Sequence, residues 1–301
     1  MTVLVTGASG LIGRHTVALF QERGEHVRTF QRSAPVNADV EHIGGDIRTD
    51  QDALERAAHG CRAIVHLAGR GDVAESRRDP VGYATLNATG ALNALQAARQ
   101  ADATFVLASS QRVYPLQPEP CREDAPLAPD SPYGYAKWVA ELWCRMASEH
   151  FGVSTRVLRF FSVYGPGQQA NGGSGVVTIF LRAALKGEPL TIQSAGKRDF
   201  TAARDVARGI ALAVDQPADG RHRTYNVATG VGTTFGELAQ LASKLTGSTS
   251  SIEERITEPP GRDLVADVGL ASTELEYAPC VALRDGLAQY VAWLRDSDGA
   301  A

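Results

Sequence analysis

At 301 residues the chain can hold one large α/β unit or two lobes that share a site. A hydrophobic fraction of 44% and a charged fraction of 21% are ordinary for a globular protein, and no apolar run approaches the roughly 20 residues of a membrane span, so no membrane partner is expected. The net charge of −4 with dispersed Lys and Arg gives no footprint for nucleic acid, and Cys61, Cys121, Cys144 and Cys280 lack metal or disulfide spacing, so reduced thiols and no metal site are expected. The opening MTVLVTGASG carries no secretory pattern, which predicts a cytoplasmic location and a small-molecule partner.

Short apolar runs alternate with helix-length amphipathic segments through the first half of the chain. Strands are predicted near 2–6, 26–30, 62–67, 103–109 and 155–161, with helices near 11–23, 50–58, 80–100 and 131–150 as right-handed crossovers. That order predicts a Rossmann-like, doubly wound parallel sheet covered on both faces. After about residue 162 the rhythm breaks, at Gly165, Pro166 and Gly167 and again at Asn171-Gly172-Gly173-Ser174-Gly175. A helix followed by TYNVA within 203–228 reads as a return to the sheet. The expected division is therefore 1–165 with 203–228 as the dinucleotide-binding domain, and 166–202 with 229–301 as a smaller C-terminal α/β substrate lobe.

Thr6-Gly7-Ala8-Ser9-Gly10-Leu11-Ile12-Gly13 stands between the first strand and the first helix, the context in which glycines make a phosphate cradle. Gly7 permits the tight turn, Gly10 admits a pyrophosphate close to backbone N–H groups, and Gly13 lets the helix pack on the sheet. A plain strand-turn-helix corner is the competing reading. At the end of the second strand, where an acidic residue would hold a ribose 2′-hydroxyl, stand Gln31, Arg32 and Ser33. A guanidinium suits the 2′-phosphate of NADP(H), which is thereby favoured, with NAD(H) as the alternative and a solvated loop cation as the competing reading of Arg32. Asp46 and Ile47, after Gly44-Gly45, end a third strand and would meet the adenine, although an ordinary turn aspartate fits Asp46 as well.

Tyr133 and Lys137, four residues apart on a helix opened by Ser131-Pro132, share one face. A phenol with an ordinary value of about 10 becomes a usable general acid/base when an ammonium and an oxidised nicotinamide favour the phenolate. Ser109-Ser110 closes an apolar strand and delivers a hydroxyl to the carboxyl edge of the sheet, where Ser110 can donate to a substrate oxygen. The competing reading for Ser110 is a turn cap.

Together with GDI at 45–47, Val65-His66-Leu67-Ala68, Asp79-Pro80 through Asn87, SSQRVY at 109–114, YGYAK, Arg159 through Val163-Tyr164-Gly165-Pro166-Gly167, Arg198-Asp199-Phe200 and Tyr225-Asn226-Val227, these motifs make nearly the whole chain resemble the extended short-chain dehydrogenase/reductase family, its sugar-nucleotide epimerase, dehydratase and ketoreductase group. The resemblance implies that Ser110, Tyr133 and Lys137 are catalytic. Gly7, Ser9, Gly10, Leu11, Ile12, Gly13, Leu67, Ala68 and Gly69 would line the cofactor, Asn87 would support the active-site helix, and Lys137 would hold the nicotinamide ribose. It further implies that Gln111, Arg112, Ser162, Arg198 and Arg262 meet a nucleotide sugar, and that the helices at 80–100 and 131–150 pair in a homodimer.

Three positions depart from the family pattern. Ser162 replaces the Asn that precedes VYGPG in many members, which puts the usual sugar-diphosphate hydrogen bond in doubt. Gln111-Arg112 replaces the Asp-Glu pair of the dehydratases, which disfavours loss of water. Gln31-Arg32 replaces the acidic ribose ligand of the epimerases that retain NAD. An NADPH-dependent ketoreductase acting at C4 of a nucleotide-linked keto sugar is the leading expectation. A nucleotide-sugar 4-epimerase stands next, ahead of a reductase of non-sugar carbonyls or a non-catalytic cofactor-binding regulator.

Overall fold

The computed structural model describes residues 1–33, 40–168, 175–256 and 261–298; the expected break in the strand–helix rhythm at Asn171 through Ser174 lies outside them. Seven parallel strands form the central sheet: β1 (Thr2–Thr6), β2 (His26–Gln31), β3 (Glu41–Gly44), β4 (Cys61–His66), β5 (Thr104–Ser110), β6 (Thr155–Phe160) and, further along the chain, β11 (His222–Val227). Their spatial order is β11-β6-β5-β4-β1-β2-β3, the doubly wound pattern in which the order reverses beside β1. The crossovers use α1 (Leu11–Glu22), α2 (Gln51–Ala58), α3 (Val73–Arg78), α4 (Pro80–Tyr83), α5 (Gly90–Gln100) and α6 (Pro132–Phe151).

Alternation along the strands splits the core. Val3 and Val5 of β1 face one cluster with Phe20, Val206 and Ile210, whereas Leu4 between them faces another with Phe30, Leu95, Phe105 and Cys144. Both clusters are buried because helices cover each face of the sheet.

The helix expected over 80–100 is interrupted. A π-helical turn spans Ala84–Thr89 between α4 and α5, and within it Asn87 turns inward and hydrogen-bonds both ways to the Arg70 backbone. The extra residue in the turn permits that inward amide while Gly90 keeps the helix against Ile47, where a Cβ would come to 3.1 Å from Ile47 Cγ2.

Beyond β7 (Val163–Tyr164) the elements shorten. They are α7 (Val176–Lys186), β8 (Leu190–Ile192), β9 (Lys197–Asp199), β10 (Thr201–Ala202), α8 (Ala203–Asp215), β12 (Gly232–Thr234), α9 (Phe235–Thr246), β13 (Ile252–Glu254), α10 (Gly269–Leu275) and α11 (Leu283–Asp298). α8 packs on the main sheet and leads into β11, whereas α7, α9 and α11 enclose a separate apolar cluster of Phe180, Leu181, Leu190, Leu238, Leu287 and Leu294. A fourth, small cluster of Val113, Tyr114, Phe161, Leu264 and Ala266 packs residues from after β5 and β6 against the segment ahead of α10.

Candidate active site

The carboxyl ends of β1, β2 and β4 open into a cleft of about 500 Å³, lined among others by Gly7, Ser9, Gly10, Gln31, Arg32 and Asp46. Ser33, Ile47, Ala68, Gly69 and Arg70 also line it. Gly7 turns at φ 70°, and a Cβ there would sit 2.6 Å from the Ala68 backbone N, so only glycine lets the loops after β1 and β4 meet. Gly13 has no more room, because its Cβ would stand 2.3 Å from the Gly7 carbonyl oxygen. Gly10 caps α1 without a side-chain hydrogen bond, and no acidic residue stands in the first turn. A glycine cradle at an uncapped, positive helix end fits the pyrophosphate of a dinucleotide.

Of the residues expected at the cofactor, Leu11 and Ile12 are the first two of that uncapped helix end, and Leu67 follows β4. Ile12 packs against the core, and the Leu67 backbone N donates to the Thr6 carbonyl.

Gln31 braces the cradle. Its carbonyl accepts from the Ser9 backbone N at 3.1 Å, and its Nε2 donates to Ser9 Oγ and to the Ser33 carbonyl, each at 2.7 Å. Both ends of the amide are thus committed to protein. Arg48 pairs with Asp46 through two contacts of 2.9 and 2.6 Å, and this side-chain hydrogen bonding holds the Asp46 carboxyl down at about 2. Sequence reasoning passed over Arg48, which the Asp-x-Arg spacing could have revealed. Ile47 is buried and forms part of the wall.

The second group of residues gathers at the ends of β5 and β6. Ser110 accepts from the Arg112 backbone N at 3.2 Å, capping the turn Gln111–Val113, and the same hydroxyl acts on the Tyr133 phenol, so the cap and the site share one side chain. Ser131 caps α6 by accepting from Gly134 N, which sets the helix start that carries Tyr133 and Lys137. Lys137 is buried and donates from Nζ to the Ala108 carbonyl at 2.8 Å. Burial pulls its ammonium down to about 8, while Glu141, one turn on, opposes the shift.

The phenol departs from expectation. In the protein alone, burial pushes Tyr133 above the ordinary tyrosine value, against the hydrogen bond from Ser110 and the charge of Arg112, and Lys137 does not enter among the causes. Sequence spacing places two groups on one helix face but says nothing of how dry that face is.

Gln111 is buried and donates from Nε2 to Ser162 Oγ at 3.1 Å, joining the loops after β5 and β6, with Ser162 at φ 21°. Arg198 and Arg262 come together in the smaller lobe: Arg198 donates to the Arg262 carbonyl and its own neighbour Lys197's carbonyl, each at 2.8 Å, and its guanidinium lies 5.4 Å from the Phe235 ring centre. Behind the site, Glu141 pairs with Arg159 at 2.7 and 3.0 Å and accepts from Ser109, while Arg159 donates to Tyr114 OH at 2.7 Å. Glu141 stands four residues after Lys137, a spacing from which it could have been found.

A family model described as the NAD-dependent epimerase/dehydratase family matches residues 3–228. The chain belongs to that family. Among its relatives, a UDP-glucose 4-epimerase of Mycolicibacterium smegmatis is 32% identical, covering 98% of this chain and 99% of its own. Among solved structures, a UDP-glucose 4-epimerase of Thermotoga maritima with UDP-glucose superposes at a TM-score of 0.89, with 31% identity and 99% of each chain covered. A UDP-glucose 4-epimerase of Thermus thermophilus in complex with NAD gives 0.88, with 30% identity over 98% of this chain and 99% of that one. The family is thus an extended short-chain dehydrogenase/reductase with the expected α/β fold, and no described helix is long and apolar enough to cross a membrane.

Proposed function

We propose that this family member is a nicotinamide-dependent 4-epimerase of a nucleoside-diphosphate hexose. The reading is carried by the gathering of the Ser110 hydroxyl, the Tyr133 phenol it acts on and Lys137 on the same helix at the carboxyl edge of a sheet whose neighbouring cleft fits a dinucleotide. Full-length relatives named UDP-glucose 4-epimerase support it and move the epimerase ahead of the ketoreductase that residue reasoning put first. Gln111-Arg112, in the place of an Asp-Glu pair, argues against dehydration.

When bound, the nicotinamide would supply the acceptor for a hydride from C4 and the donor that restores it. Tyr133 takes the proton of the C4 hydroxyl and gives it back after the keto sugar has turned its other face, while Ser110 donates to the same oxygen. Lys137 would hold the ribose hydroxyls, and the Arg112 charge opposes the burial that keeps the phenol protonated. The lobe of 166–202 with 229–301, through Arg198 and Arg262, grips the diphosphate against the cofactor domain of 1–165 with 203–228, and Gln111, Arg112 and Ser162 meet the sugar.

Tyr133→Phe is expected to lower the interconversion of UDP-glucose and UDP-galactose by about 10²- to 10⁴-fold while leaving dinucleotide binding intact. Turnover that survives the substitution would overturn the role of the phenol.

One observation favours NADPH-dependent reduction of a 4-keto sugar as the second reading. Gln31 is spent on Ser9 and Ser33, and Arg32, exposed at the cleft, makes no hydrogen bond or ion pair among the described residues. A 2′-phosphate would find that guanidinium. Release of the bound cofactor by denaturation decides between the two, since retained NAD belongs to a cycle that regenerates it and exchangeable NADPH to one that consumes it. Arg32→Asp should then weaken NADPH and spare NADH.

A further inference from the structure

The cleft has a third guanidinium that neither the motifs nor the reaction uses. Arg70 follows the loop after β4, and the Asn87 amide holds its backbone on both sides, accepting from Arg70 N and donating to Arg70 O, each at 2.9 Å. Its main chain is therefore fixed, and the loop that leads to it is pinned against the glycine turn, because Gly7 leaves no space for a Cβ before Ala68. The side chain is not fixed in the same way. Its guanidinium pairs with Asp79 at 2.9 Å and Glu75 at 3.3 Å, all three side chains being 36–49% exposed, and lies 5.5 Å from the Tyr83 ring centre.

Exposed pairs of this kind contribute little, about 0–1 kcal/mol, and open readily. A pyrophosphate offers the same guanidinium two adjacent anionic phosphoryl groups and bidentate hydrogen bonding. The position separates it from Arg32: Arg70 reaches the cleft from the Ala68–Gly69 side, against the Gly7 turn, whereas Arg32 and Ser33 reach it from the end of β2.

We propose that Arg70 is a clamp for the dinucleotide pyrophosphate, exchanging the carboxylates of Asp79 and Glu75 for a phosphate oxygen when cofactor enters. This rests on the reading that the cleft takes a nicotinamide dinucleotide. The pyrophosphate is common to NADH and NADPH, so the clamp acts equally on both. The carboxylates compete with the ligand, and they hold the arginine ready beside the cradle while setting how easily cofactor leaves. Tyr83 carries the arrangement onward, for it donates to Glu75 at 2.9 Å and meets the Tyr133 ring edge-on at 6.4 Å.

The test is a titration of the full chain with NADH and NADPH, read by nicotinamide fluorescence and independent of turnover. Arg70→Gln should weaken both dinucleotides by about tenfold and by the same factor. Asp79→Asn keeps a side-chain oxygen to cap Gly82 N and removes the competing charge, so it should tighten both by about two- to fivefold. Unchanged affinity in Arg70→Gln, a loss confined to NADPH, or weaker or unchanged binding in Asp79→Asn would overturn the clamp. If wild type binds neither dinucleotide, the cofactor reading itself fails, a result distinct from any of these. Should Arg70→Gln fail to fold, Asp79→Asn alone decides.

Discussion

At the scale of single residues, burial outweighs sequence neighbourhood in setting charge. His66 shows this clearly: its Nδ1 lies 2.9 Å from Thr6 Oγ1, its ring stacks on Phe105, and burial with the Lys137 charge pulls it down to about 3. The folded pKa lies below the ordinary 6.5, so between about 6.5 and 3 the unfolded chain binds the extra proton and stability falls as pH falls. His66→Asn is expected to flatten acid destabilisation in that window, by up to about 1.4 kcal/mol per pH unit, in chemical denaturation compared at each pH. An unchanged acid limb would mean the ring is solvated. Lys137 acts with the same sign at the alkaline end, for its depressed value means that the cost of its charge is fully present below about 8 and relieved toward 10.5. Tyr133 and Lys137 were legible as a pair from their spacing, but the direction of the phenol's shift was not, because dryness is a property of the packed site.

Among elements, the cradle and α1 form one unit whose glycines are fixed by backbone contact. Gly13→Ala would drive a Cβ into the Gly7 carbonyl and Ala8, all of it main chain that cannot rotate away. A destabilisation of about 1–3 kcal/mol is expected, with weaker dinucleotide binding, read by thermal melting and by the same fluorescence titration. Most strand positions followed from runs such as Val3-Leu4-Val5 and Phe105-Val106-Leu107, whose apolar length is what a sheet buried on both faces requires. The π turn at Ala84–Thr89 was invisible, since it answers to a partner, Arg70, that lies 17 positions before Asn87. The commitment of Gln31 to Ser9 was hidden for the same reason.

At the scale of the whole molecule, α5 and α6 lie side by side on one face of the sheet, and α6 leaves Tyr135 and Leu142 exposed at 53% and 37%. We propose that these helices pair two copies of the chain. Light scattering at micromolar concentration should give a dimer mass, and Leu142→Glu should lower it toward that of a single chain; a wild-type monomer would remove the pairing. The return of α8 and β11 to the main sheet, with β11 in register beside β6, was foreseen from TYNVA because a buried parallel strand has a compact apolar pattern.

By itself the sequence determined the parallel sheet, the glycine cradle and the shared helix face of Tyr133 and Lys137, since each is written in local spacing and in the periodicity of one element. Tertiary structure alone decided that Gln31 braces Ser9, that Asn87 pins Arg70 at the cleft, and that burial raises the Tyr133 phenol. Those outcomes depend on which distant groups share a dry space. Hydrogen bonding and desolvation act through that space, and the order of residues along the chain does not encode it locally.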